Sequence, residues 1–150
     1  MTWSEIRSNV AVGGQPLHSI LVQFPVVCFT LALFTDIAYW RSANLMWQNF
    51  SSWLLFAGLV FAVLAAVAWI IDFTTRPSIE RTAPAWPQPV GSLVVIVLAF
   101  LNSLVHAGDG WTAVVPWGLV LSAATVVVMA LAAWYGRVLV YRHEFRSSQP

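Results

Sequence analysis

The sequence contains no lysine, a single cysteine and only 9% charged residues. A soluble domain carries about 25% charged residues to cover its water-facing surface, so this scarcity excludes one. Seven arginines against six acids leave a formal charge of +1, which offers no basic surface to a nucleic acid. Cys28 cannot close an internal disulfide, and inside its apolar run it reads as a small packing residue. The first 15 residues, with Trp3, Glu5, Arg7 and Asn9, lack the charged, apolar, small-residue order of a cleavable signal. The first apolar segment is therefore expected to double as the export signal. No Gly-rich phosphate loop, nucleophile elbow or clustered metal-ligand motif occurs, so neither an enzyme nor a metal site is expected.

What the chain does have is apolar length. Of its 150 residues 59% are hydrophobic, and the mean hydropathy is +0.77. Four uncharged or nearly uncharged stretches, about 17–39, 50–71, 90–106 and 111–136, are long enough to be read as spanning helices once interfacial residues are added. Runs such as "LLFAGLVFAVLAAVAWII" are continuous, whereas barrel strands alternate polar and apolar. The expected fold is all-α: one transmembrane domain over 1–150, a four-helix bundle with a Pro-rich loop over 72–89. Six of the seven arginines (Arg7, Arg76, Arg81, Arg137, Arg142, Arg146) fall on the side shared by both termini and that loop. Arg41 alone falls opposite, so the positive-inside rule places both termini in the cytoplasm. Trp40, Trp47, Trp53, Trp111 and Trp117 would form one interfacial belt, and Trp69, Trp86 and Trp134 the other.

Polar side chains at membrane depth are costly and are the default functional candidates. One cluster, expected at the outer face, holds Asp36, Asn102, His106 and Asp109. It could hold a proton or a polar ligand; the plainer alternative pairs Asp36 with Arg41 and leaves Asn102 as a link between helices. A second, inner-face cluster comprises Asp72, Arg76, Arg137, Tyr141 and Arg142, flanked by His18 and His143. Two histidines at similar depth could ligate haem, although His143 lies seven residues beyond Gly136, about 10 Å further along a helix. The arginines at the end of the fourth span suit anionic lipid headgroups. Gly58, Ala62 and Ala66, spaced by four, and Gly118 with Ser122 mark small faces for helix packing, within the chain or against a second copy.

The stretches "PLHSILVQFPVVCF", "TDIAYWRSANLMWQNFSSWLL", "AAVAWIIDF", "LVHAGDGWTAVVPWGLVLSA" and "WYGRVLVYRHEF" together resemble, in order and spacing over about residues 13–146, the bacterial membrane proteins grouped as domain of unknown function 2231 (DUF2231). The resemblance implies a four-helix transmembrane bundle in the bacterial inner membrane. Some members of that group are encoded beside, or fused to, sugar dehydrogenases and cytochromes. The family pattern begins Gly-His-Pro-x-His-Pro and has a further His-x-x-Gly-Asn before the third span. Here Gln15 and Ser19 flank the retained His18, and Gln88 and Ser92 flank the retained Gly91, so two candidate ligands are replaced by poor ones. Trp69 stands where the pattern has a glycine.

Three readings of function follow. The leading one is a multi-pass anchoring or interaction subunit in contact with the lipid bilayer, its partner a dehydrogenase, a cytochrome or a second copy of the chain. The second is an electron-transfer module binding haem b or quinone through His18 and His143. The third is a small-solute or proton permeation pathway through Asp36, Asn102 and His106.

Overall fold

A computed structural model describes residues 11–12, 15–75, 87–108 and 114–147. Ala11–Val12 (β1) and Gln15–Pro16 (β2) form a two-residue antiparallel ladder ahead of the first helix. The remaining described elements are helices: α1 (Leu17–Leu21), α2 (Gln23–Ser42), α3 (Leu45–Thr75), α4 (Pro87–His106) and α5 (Leu119–Ser147). Four candidate spans result, Leu17–Ser42, Leu45–Ile71, Pro89–His106 and Val114–Val138. Each span packs on its neighbours in sequence, and α2 also packs on α5, closing a ring of four.

The helix ends show why these bounds differ from those read along the sequence. Pro25 has no N–H for the carbonyl four residues back, and the first span is divided at Val22, between α1 and α2. The segment 40–49, expected as a loop, is mostly helix. Ala43 adopts a left-handed conformation (φ 51°) and donates its N–H to the Tyr39 carbonyl. One residue later, Asn44 Oδ1 accepts from the Met46 N–H at 3.0 Å, which is an N-cap. A two-residue turn thus replaces the anticipated loop.

Pro87 and Pro89 open α4; proline is tolerated in a first turn, whose N–H groups have no intrahelical partner. Before α5 the chain kinks over Val114–Gly118, where Val115 is extended (φ −115°, ψ 126°) and the Val115–Pro116 peptide is cis. Gly136 does not end the last helix, which continues to Ser147.

Buried positions recur at alternating intervals of three and four on every span: Pro25, Phe29, Ala32, Asp36 and Tyr39 on α2; Gln48, Ser51, Leu55, Gly58, Ala62 and Ala65 on α3. Val95, Ala99, Asn102 and His106 continue the pattern on α4, and Gly118, Ser122 and Thr125 on the fourth span. That spacing averages 3.5 residues, the repeat that keeps one seam facing the bundle axis. Outward positions carry Phe34, Trp53, Trp117 and Trp134, all strongly exposed, as a lipid-facing surface requires.

The seam explains the small residues. A Cβ on Gly58 would lie 2.8 Å from Phe29 Cδ1, with Phe29 Cε1 closer still, and 3.1 Å from Cys28 Cβ. Gly58 therefore lets α2 and α3 approach with the Phe29 ring between them. The expected small face on α3 is Gly58, Ala62 and Ala66. Gly58 and Ala62 lie inside the monomer, and the seam continues to Ala65, leaving Ala66 half-buried beside it. At Gly58 the face is filled by Phe29 and Cys28 of the chain's own α2. Trp69 stacks on Phe73 of its own helix at 5.2 Å.

Candidate functional site

The core divides along its length. Towards the end at which the first, second and fourth spans hold residues 17–32, 54–71 and 126–138, the seam is apolar: Phe29, Ala32, Leu55, Val95 and Ala99 form one buried cluster, with Leu54, Leu59, Val128 and Met129 packed against it. Towards the end bearing the Ala43–Asn44 turn, the same seam positions carry Asp36, Gln48, Ser51, Asn102, His106, Ser122 and Thr125, all buried.

Asp36 is the centre of that polar half. It is 0% exposed, so its carboxylate depends on protein donors, and it receives one from each of the other three spans. Ser51 Oγ of α3 donates to Oδ1 at 2.5 Å, and Ser122 Oγ of α5 donates to Oδ2 at 2.5 Å. His106 Nε2 of α4 lies 2.9 Å from Oδ1. Charge-assisted bonds of this kind are stronger than neutral ones, and at membrane depth water does not compete for them.

Each donor is itself held. Thr35 Oγ1 lies 2.7 Å from Ser51 Oγ and within reach of the Leu31 and Ala32 carbonyl oxygens, so its single proton is shared among the three. Asn102 Nδ2 donates to Ser122 Oγ at 2.7 Å. His106 Nδ1 lies 3.0 Å from the Asn102 carbonyl oxygen, and Gln48 Nε2 donates to the His106 carbonyl at 3.2 Å. Both imidazole nitrogens thus face oxygen acceptors, the arrangement of an imidazolium paired with a carboxylate. Neither nitrogen presents a lone pair to a metal. Asn102 Oδ1 is buried and has no hydrogen-bond donor among the described residues.

Of the first cluster, the structure brings together Asp36, Asn102 and His106; Asp109 lies outside the described residues. Arg41 does not take the place of His106: its guanidinium sits over the Trp40 ring, 5.7 Å from the centroid. Ser122, read from sequence as a packing residue beside Gly118, is a ligand of the carboxylate as well.

The second cluster is seen only in part. Arg137 is exposed, lining an open groove of about 370 Å³ with Ala130, Ala133, Trp134 and Val138. His18 is half-buried, its Nε2 3.4 Å from Ser19 Oγ. Arg76 lies outside the described residues. Asp72, Tyr141, Arg142 and His143 sit on helical backbone, but their side chains are not among those described, and with His143 goes the proposed pairing with His18.

Sequence reasoning missed Thr35, Gln48 and Ser51. Ser51 had a readable signal, standing one heptad before Gly58 and therefore on the same inward seam. Gln48 is three residues earlier on that seam.

No curated protein and no solved structure matches the chain. A family model described as "Predicted membrane protein (DUF2231)" matches residues 14–149. With almost the whole chain covered and four apolar helices in place, the protein belongs to the DUF2231 family of membrane proteins.

Proposed function

We propose that the protein is a non-catalytic anchoring and interaction subunit of the bacterial inner membrane, with both termini in the cytoplasm. The observation that carries this reading is the Asp36 carboxylate, which accepts a hydrogen bond from each of the other three spans. The Asp36 carboxylate, His106 Nε2 and Asn102 Nδ2, which sequence reasoning offered to a ligand or a solute, are engaged in bonds between helices. The apolar cluster around Phe29, Leu55, Val95 and Ala99 stands across any axial route, which counts against permeation. His106 has both ring nitrogens occupied, which counts against its use as a haem ligand. Orientation rests on the arginine asymmetry, and a dehydrogenase or cytochrome partner on the company kept by other members of the family.

The test combines three measurements on the full chain. Purified protein is expected to show a flat reduced-minus-oxidised absorption spectrum and, in liposomes, no proton or solute flux above that of bare lipid. In native membranes it is expected to migrate with a peripheral oxidoreductase that leaves the membrane fraction when the gene is deleted. A haem band or a measurable flux would overturn the reading. For orientation, Asn44→Cys in a Cys28→Ala background should react with an impermeant thiol reagent in whole spheroplasts, and Ser147→Cys only after lysis; the reverse pattern inverts the topology.

A further inference from the structure

The polar half of the core sits close to one membrane face only. Asp36 is six residues from Ser42, the last residue of α2, about 9 Å along the axis. His106 is the last residue of α4, and Ala107 and Gly108 beyond it are exposed. In the other direction the first span runs on to Leu17, about 28 Å away, and the apolar cluster fills that part of the seam.

A second observation concerns direction within the network. Ser122 now donates to Asp36 and accepts from Asn102 Nδ2, while Asn102 Oδ1 has no donor. A side-chain amide carries a donor group at one end and an acceptor at the other. Turned over, Asn102 would offer Oδ1 to Ser122, whose hydroxyl could then donate to the amide and accept from a protonated Asp36. The number of bonds in the row Asp36–Ser122–Asn102 is the same in both directions, because one amide atom is already without a partner.

We infer that Asp36 is a proton-binding site addressed from the membrane face next to the Ala43–Asn44 turn, and closed to the opposite face. The proton adds to Oδ2, the new O–H donates to Ser122 Oγ, and the Ser122 proton swings to Asn102 Oδ1. His106 keeps both its protons and its bond to Oδ1, and the added positive charge remains on the imidazolium. That cation lies at the C-terminal end of α4, where the helix dipole favours it. At the Asp36 carboxylate α4 brings His106, α3 brings Ser51 and α5 brings Ser122, while Gln48, Thr125 and, one turn along α2, Tyr39 are buried on the same seams. Among these, His106 is the one charged partner. The inference goes beyond the anchoring reading and gives the bundle a one-sided response to pH without transport.

The experiment is infrared difference spectroscopy of the full chain in vesicles of one orientation, selected by a C-terminal tag. The pH is lowered from about 8 to about 4 on one side at a time. The other five acids of the chain also protonate towards pH 4, so the band that counts is the carboxylic acid C=O band that Asp36→Asn lacks; it should appear when the face next to the Ala43–Asn44 turn is acidified and not when the other is. In Asp36→Glu the band should change frequency, which assigns it even where Asp36→Asn fails to assemble. Asn102→Leu, which keeps the acid and removes the reversible amide, should make uptake about tenfold less favourable, a displacement of about one pH unit. No band in this interval that Asp36→Asn lacks, or an equal response of that band from both faces, would overturn the inference. None of these results bears on flux, haem or partner binding, so the anchoring reading is tested separately.

Discussion

Asp36 and His106 stand 70 residues apart in the chain and 2.9 Å apart in the bundle, with the carboxylate fully enclosed and the imidazole nearly so. Taking two charges out of water costs several kcal/mol per ion, and their attraction compensates only where the remaining lone pairs and protons are also satisfied. Here Ser51, Ser122 and the Asn102 carbonyl satisfy them. The pair ties the first span to the third, and the two serines extend the tie to the second and fourth.

Removing one partner should therefore cost far more than removing both. Asp36→Ala leaves the imidazolium buried and unpaired, and it should destabilise the bundle by about 3–5 kcal/mol, read as the folded fraction in a denaturing-detergent titration. Asp36→Ala combined with His106→Ala should recover part of that loss. A double variant as unstable as the sum of the two single ones would show that the groups are not coupled.

The serines should behave differently. Hydrogen bonds between membrane helices average about 0.6 kcal/mol and reach about 1.7 kcal/mol, so Ser51→Ala and Ser122→Ala should each fall in that interval. Losses of the size expected for Asp36→Ala would mean that the serines, rather than the ion pair, set the stability of the polar half.

At Gly58 the expected effect is steric. A methyl group there meets Phe29, itself 1% exposed, so the ring has no solvent to move into. Gly58→Ala should cost about 1–3 kcal/mol, as overpacking does elsewhere, and combining it with Phe29→Leu should relieve most of the clash. An equally stable Gly58→Ala protein, measured by the same titration, would mean that α2 and α3 are further apart.

Arg41 supplies a contrast. It follows Asp36 by five residues and is its closest arginine in sequence, yet it lies over Trp40 at the exposed surface. Arg41→Ala should change stability by no more than about 0.5 kcal/mol. A loss comparable to that of Asp36→Ala would show that Arg41 shares the carboxylate.

Much of the polar site was legible before folding, because any charged or amide side chain inside an apolar run stands out. Asp36, Asn102 and His106 were found that way. Ser51 and Thr35 were not, since a hydroxyl costs little in a membrane helix and can bond back to its own carbonyls, as Thr35 does to Leu31 and Ala32. The helix bounds failed where a cap decided them. Asn44, whose side chain caps α3, and Pro87, which opens α4, lie in stretches whose composition reads as loop.

The sequence by itself determined the solvent and the number of spans, because hydropathy and length act residue by residue and every backbone group in lipid must be bonded within its own helix. Partnership was decided only by the tertiary structure. Arg41 and His106 were both chemically suitable for Asp36, and one is five residues away while the other is 70. The 3.5-residue seams turn Asp36, Ser51, His106 and Ser122 towards one axis and leave Arg41 outside, so the distant histidine is the one that meets the carboxylate.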